Sequence, residues 1–386
     1  MKSKINQIID AIDSYRIDDN IGLLSGQCGV ALFYFFCSTQ INNAYKAKCL
    51  KRIEYVLDRI NNENQINSFC TGISGFGWLL EFLKENKIFS SKDILLLNDL
   101  DNYLFKNMIA EFNNHCYDYL HGAIGYGLYF LKRLYKSNVP SYLSALVYHL
   151  EDLGENDSNG CIKWKSILDY EKDKRGYNIS LSHGIASIIV ILTKIYKSGI
   201  EKTKCKQLII GAVKYILKQE LVRNKYNSYF PSWSIESDER VTSSRLAWCY
   251  GDLGIAMAIW QVGQTLNISE WTEIALEILL YSTTRKDLKG NFVQDAGICH
   301  GTAGIGHLFY RMYWNTKRME FKIGADYWFD ETLKMANHKD GLAGFKTWHS
   351  EKLGGWANEI NLINDLAAEQ RGILGNLSYS PQAAGN

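Results

Sequence analysis

Apolar residues recur along the chain with a helical period, and no stretch alternates strand with helix. In 48–62, Leu50, Ile53, Leu57 and Ile60 share one face, with Lys51, Arg52 and Asp58 off it. Residues 97–112 place Leu97, Leu100, Leu104 and Met108 together, and 206–221 do so with Ile209, Val213, Ile216 and Leu217. Similar amphipathic segments lie at 5–16, 141–153, 269–283 and 322–337. Between them come segments that are apolar nearly all round, each opened by two glycines three apart. They are SGQCGVALFYFF (Gly26, Gly29), TGISGFGWLLEFL (Gly72, Gly75), HGAIGYGLYFL (Gly122, Gly125), YGDLGIAMAIW (Gly251, Gly254) and HGTAGIGHLFY (Gly301, Gly304). HGIASIIVIL keeps Gly184 but has Ser187 at the second place, and RGILGNLSYS carries Gly372 and Gly375.

Seven copies of one unit therefore follow one another, their first glycines 46 to 71 residues apart. A helix apolar all round must be buried, whereas its amphipathic partner faces solvent on one side. An open solenoid would leave the apolar helices too exposed on its concave face. The pattern predicts a closed α/α toroid instead: an all-α double ring of seven inner and seven outer helices, forming one domain over residues 1–386. A doubly wound sheet is rejected. Each first glycine is expected to mark the entry to an inner helix, where it permits φ > 0 and close backbone approach. The last copy is irregular, because only eleven residues follow Gly375 and Pro381 is among them. A short seventh inner helix is expected, since starting it at Gly341 and Gly344 would leave residues 345–386 unexplained.

Composition adds limits. Lys plus Arg is 43 and Asp plus Glu is 41, a net charge of +2, which gives no electrostatic case for nucleic acid or a membrane surface. The length alone suggests two domains, but the repeat favours one ring. Nine cysteines, an odd number without a tight framework, together with an N-terminus (MKSKINQIIDAIDSY) that lacks an apolar core, predict a soluble cytoplasmic protein with reduced thiols.

In a closed ring, the residues just before each first glycine gather at one rim. In order they are Leu24-Ser25, Cys70-Thr71, Leu120-His121, Ser182-His183, Cys249-Tyr250, Cys299-His300 and Gln370-Arg371. This set is far richer in Cys and His than packing requires. Cys249, Cys299 and His300, from neighbouring copies, would supply two thiolates and one imidazole to a tetrahedral Zn²⁺ and leave a fourth position open. The bland alternative is two buried cysteines and a hydrogen-bonded histidine. A rival metal cluster, His115, Cys116, Asp118 and His121, needs a continuous helix that the loop before Gly122 makes doubtful. His183 could move protons near neutral pH. Asp118 is a lone carboxylate four residues before Gly122, and Arg245 could hold a charged partner. SGQCG has no following Lys-Ser or Lys-Thr, so it is not a phosphate loop.

The motif R-x-x-W-C-Y-G (Arg245, Trp248, Cys249, Tyr250, Gly251), with C-H-G (Cys299, His300, Gly301) fifty residues later, resembles the lanthionine synthetase C-like family. S-H-G (Ser182–Gly184) and D-x-x-x-G (Asp118–Gly122) match it in order. The resemblance implies the same double helical ring, with one zinc held by Cys249, Cys299 and His300. It implies proton transfer at His183 and Asp118, and places Arg245 and Tyr250 along the site, Arg245 orienting Asp118 or the substrate. The implied reaction closes thioether rings by adding precursor-peptide cysteine thiols to dehydroalanine or dehydrobutyrine. The implied partners are the dehydrated lantibiotic precursor with its leader and, in many systems, a dehydratase and an exporter at the cytoplasmic membrane face. Two other functions stay open: a toroid that alkylates thiols with another electrophile, and a peptide-binding scaffold without activity.

Overall fold

Every first glycine of the described copies stands at the N-cap of a helix. A computed structural model describes residues 2–360 except 17–18, 64, 91, 170–173, 224, 238–241 and 352–353. In chain order the first helices are α1 (Lys2–Ser14), α2 (Gln27–Gln40), α3 (Tyr45–Asn62), α4 (Ile73–Glu85), α5 (Leu97–Asn113), α6 (Ala123–Lys132) and α7 (Val139–Leu153). There follow α8 (Ile185–Lys197), α9 (Lys202–Leu217), α10 (Asp252–Leu266), α11 (Ser269–Ser282), α12 (Thr302–Thr316) and α13 (Met319–Lys334). The even-numbered helices α2 to α12 are the apolar segments and alternate with the odd-numbered ones as the periodicity predicts. The seven amphipathic segments correspond to α1, α3, α5, α7, α9, α11 and α13.

The two kinds of helix differ in burial as expected, although in α3 the buried line is shifted from the predicted face and keeps only Ile53 of it. Helix α6 buries every residue from Ala123 to Phe130, and α8 buries Ile185 to Ile189. Helix α3 buries only Cys49, Ile53 and Val56. Fully burying one Leu, Ile or Phe is worth about 1.5–3 kcal/mol, so the all-apolar helices carry most of the core's stabilisation. Pro140 lies in the first turn of α7, where its missing N–H costs no helical bond.

The chain divides into two compact units. The first comprises Met1–Gln65, Leu246–Trp248 and Thr283–Asn386. In it α2 packs on α3 and α12 on α13, and Gly306 of α12 lies so close to Phe329 of α13 that a Cβ would meet the ring at 2.9 Å. The second comprises Ile66–Arg245 and Cys249–Ser282. Here α6 packs against α4, α5, α7 and α8, α8 against α9 and α10, and α10 against α11. Gly77 and Gly127 leave room for Tyr129 and Leu146, where a Cβ would stand at 2.5 and 2.6 Å. A buried ion network ties α4, α5 and the end of α6: Arg133 contacts Glu81 and Asp101 at 2.6 Å each, and Tyr129 donates to Asp101 at 2.7 Å.

The glycines act through space more than through φ. A Cβ at any of the six N-cap glycines would lie 1.9–2.6 Å from the carbonyl oxygen six residues earlier. In five copies that same carbonyl accepts the first helical N–H: Gln27 to Asn20, Ile73 to Ile66, Ala123 to Cys116, Ile185 to Asn178, and Thr302 to Asp295, at 2.8–3.1 Å. The loop returns on itself over the helix start, and only glycine leaves the carbonyl room to reach the amide. The expectation of positive φ holds at Gly251 alone (φ +90°), the other five being extended. Ser187, at the second place of its copy, is buried and donates to Gly184 O at 2.6 Å, so the exchange for glycine is accommodated within the helix.

The periodicity gives no sign of the three short antiparallel hairpins found among the described residues. They are β1 (Glu155–Asn156) with β2 (Ile162–Lys163), β3 (Ser166–Asp169) with β4 (Lys174–Gly176), and β5 (Thr347–Trp348) with β6 (Trp356–Ala357). Two of them separate α7 from α8, and the third follows α13. Gly341 and Gly344 form a turn with Gly344 at φ +90° and begin no helix. Gly372, Gly375 and Pro381, and with them the expected seventh inner helix, lie outside the described residues.

Candidate functional site

The loop before α6 presents Asp118. Its Oδ1 accepts the backbone N–H groups of Leu120 and His121 at 2.8 and 2.9 Å, so one carboxylate oxygen closes the local turn. The other oxygen, Oδ2, stands 2.5 Å from Nδ1 of His183, in the loop before α8. The His183 N–H donates to Ser180 Oγ at 3.2 Å, and Ser180 N–H donates to Asn178 Oδ1 at 2.9 Å. The chain reaches α10 through Cys249 and Tyr250, and the Cys249 carbonyl accepts from Leu181 N, Ser182 N and Ser182 Oγ at 3.1–3.3 Å. The S-H-G loop is thereby clamped to the carbonyl of Cys249. Tyr250 places its ring 6.0 Å from that of His183, and its hydroxyl accepts from Asn178 Nδ2 at 3.4 Å.

Electrostatics separates the two histidines of this loop set. Burial disfavours a charged His183, but the hydrogen bond and charge of Asp118, with Cys249, outweigh it and raise its pKa. Burial likewise opposes charge on Asp118, yet His183 and the His121 amide hold its carboxyl below the ordinary range. His121 moves the opposite way to His183: burial and the His183 charge lower its pKa despite Asp118. The arrangement favours imidazolium at His183 and neutral imidazole at His121, whose rings lie 6.3 Å apart.

In the first unit, Leu246 N–H donates to Asn291 O at 3.1 Å and Trp248 N–H to Cys299 O at 3.2 Å. Those bonds pin Leu246–Trp248 against the chain segment that leads into His300. Cys249, next in the chain after Trp248, forms a metal-capable group with Cys299 and His300, their ligand atoms all within 4.8 Å of one another. Both cysteines are buried and unbridged, and His300 is half-buried. Two thiols and one imidazole at this separation suit the tetrahedral N/S coordination that zinc takes, with one position left over.

The structure does not assemble the rival cluster. Helix α5 ends at Asn113 and His115 has φ +57°, so no helix carries His115, Asp118 and His121 on one face. Among the described residues the Cys249, Cys299, His300 group is the only one of its kind. Burial, with the charges of Glu111 and Asp118, pushes the Cys116 thiol up to about 12. The bonds of Asp118 come from His183 and backbone amides rather than from Arg245. Arg245 contributes its backbone instead, its carbonyl lying where a Cβ on Gly251 would come within 2.3 Å.

Sequence reasoning missed the residues that shape the loops. Asn20, Asn178 and Asp295 each stand six places before an N-cap glycine. Each accepts, through its side chain, the N–H two residues on: Gly22 at 2.8 Å, Ser180 at 2.9 Å and Gly297 at 3.1 Å. An Asx residue at a fixed offset from the glycine was a signal available in the sequence.

Comparison with known proteins matches residues 18–351 to the family model described as lanthionine synthetase C-like protein. Nisin biosynthesis protein NisC of Lactococcus lactis subsp. lactis is 23% identical over 79% of this chain and 78% of its own. The solved structure of a nisin cyclase aligns over 98% of this chain and 94% of that one with a TM-score of 0.73 and 18% identity. That likeness shows the fold, the α/α toroid that the repeats predicted. Among the described residues no helix is long and apolar enough to cross a membrane. With the family model spanning most of its length, the chain belongs to the lanthionine synthetase C-like family.

Proposed function

We propose that this protein is a zinc-dependent lantibiotic cyclase acting on a dehydrated precursor peptide. Cys249, Cys299 and His300 would hold the metal, and the observation that carries the reading is the closeness of these three donors. The relatives named for nisin biosynthesis and for a nisin cyclase support the same substrate class. Bound zinc supplies Lewis acidity that keeps a precursor cysteine as thiolate near neutral pH.

The chain's own residues supply the rest. In the addition, a C–S bond forms at the β-carbon of the dehydroamino acid, and its π electrons move toward the carbonyl as an enolate. The α-carbon then takes a proton, and His183 would be its donor. Its imidazolium is favoured by Asp118, which also engages the ring through Nδ1 and so leaves Nε2 as the acidic position. Tyr250 stands beside that ring and would help to exclude water from it. Arg245 is proposed to contact the substrate. The leader of the precursor, and a dehydratase and an exporter at the membrane face, are the partners proposed with this activity, in the cytoplasm.

The test is incubation with a dehydrated precursor followed by alkylation of free thiols, because ring closure leaves the mass unchanged. The expected outcome is loss of alkylatable cysteine, one per ring. An unchanged thiol count with a zinc-loaded protein would sink the cyclase and leave peptide binding in its place.

A further inference from the structure

Three copies of the rim loop carry an Asx residue at the same place, and in two of them it is asparagine. The first side-chain oxygen does the same work in all three, closing the turn onto the N–H two residues on. The second atom differs. In Asn20 it is an NH₂ that donates to Ser25 Oγ at 3.1 Å, and in Asn178 an NH₂ that donates to Tyr250 Oη at 3.4 Å. In Asp295 it is an oxygen, and it accepts. Trp348 N–H, from β5, donates to Asp295 Oδ2 at 3.0 Å, and His300 Nε2 stands 3.5 Å from the same oxygen. The Asp295 side chain is 1% exposed, so its negative charge carries a desolvation cost that the turn alone does not require, since asparagine suffices elsewhere.

We propose that Asp295 is the positioning residue of the metal centre. By accepting from Nε2–H it holds His300 in the tautomer whose lone pair lies on Nδ1, and it sets the ring's direction toward Cys299. A ligating imidazole gains basicity and a fixed orientation when its second nitrogen donates to a carboxylate. Asparagine at this place would turn an NH₂ toward two donors, Trp348 N–H and Nε2–H, which explains why this copy alone departs from the amide. The inference rests on Cys249, Cys299 and His300 being the zinc ligands. It also gives the β5–β6 hairpin a task, because Trp348 shares the oxygen that faces His300.

The experiment uses the full chain loaded with Co²⁺ or Zn²⁺. Wild-type protein is expected to bind one ion with the visible absorption of tetrahedral thiolate-bound Co²⁺, and Asp295→Asn to bind it about 10–100-fold more weakly by chelator competition. Equal affinity and an identical spectrum in Asp295→Asn would overturn the role of Asp295 while leaving the zinc site standing. Failure of the wild type to bind stoichiometric metal would overturn both. Nitrogen NMR of histidine-labelled wild-type protein decides independently of how Asp295→Asn folds, with the His300 signal assigned by its selective loss in His300→Gln. A proton on Nε2 is expected; a proton on Nδ1 would overturn the proposal.

Discussion

Nδ1 of His183 and Oδ2 of Asp118 stand 2.5 Å apart, joining two rim loops that are 65 residues apart in the chain. The pair sets the charge state of the proposed acid. In Asp118→Asn the amide oxygen can still accept the Leu120 and His121 amides, so the loop survives. The support for imidazolium is lost while burial remains, and the pKa of His183 falls. An acid must be protonated to act, so the high-pH limb of ring closure should move to lower pH. A pH profile of kcat/KM checks this, and an unmoved limb would remove His183 from the role of proton donor.

The same pair predicts how stability follows pH. The raised pKa of His183 gives stability that is full below its unfolded value of about 6.5 and lost as pH rises through the folded value. The lowered pKa of Asp118 gives stability present above its unfolded value of about 3.9 and lost as pH falls through the folded value. Thermal melts of the metal-free protein should therefore lose the difference between wild type and Asp118→Asn at both acid and alkaline pH. A difference independent of pH would mean that the two side chains are not coupled.

Metal removal should act on folding as well as on activity. Cys299→Ala is expected to purify without stoichiometric zinc, and chelation of the wild type should lower its melting temperature, since a ligand bound only by the folded state stabilises it. Retained zinc in Cys299→Ala would refute the assignment of this cysteine.

Two glycine substitutions separate space from backbone strain. A Cβ at Gly72 would stand 1.9 Å from Ile66 O, whereas one at Gly199 meets nothing within 4 Å although φ is +89°. Gly199→Ala should cost about 1–2 kcal/mol, the penalty of a left-handed alanine. Gly72→Ala should cost more, because the loop carbonyl cannot withdraw without breaking its bond to Ile73 N–H. Denaturant unfolding of both variants compares them, and equal losses would show that the loops have slack.

Arg133→Ala leaves Glu81 and Asp101 buried with no guanidinium between them. Breaking a buried pair from one side costs about 3–5 kcal/mol, so this variant should unfold at markedly lower denaturant. A midpoint near that of the wild type would mean water enters the network.

The helices were legible because their signal is periodic and long: Leu97, Leu104 and Met108 mark the face that α5 buries. Cys249, Cys299, His300 and His183 were legible because they share a place relative to a glycine. Arg133 was not, since an arginine after an apolar helix looks like an exposed cap, and only the carboxylates on α4 and α5 reveal its burial. Nor was the function of Asp295, whose sequence neighbourhood shows a turn but not the histidine that its second oxygen faces. The bond between Trp248 and Cys299, fifty-one positions apart, likewise depends on the fold rather than on local pattern.

The return of each loop onto its own helix start has a wider consequence. That contact is made by backbone and glycine, so it recurs whichever two residues stand directly before the glycine. The same frame holds Leu24-Ser25 in one copy and Cys299-His300 in another. Such a scaffold can exchange reactive groups from copy to copy without renegotiating its architecture, which makes the rim a place where new chemistry can be tried at little risk to the ring.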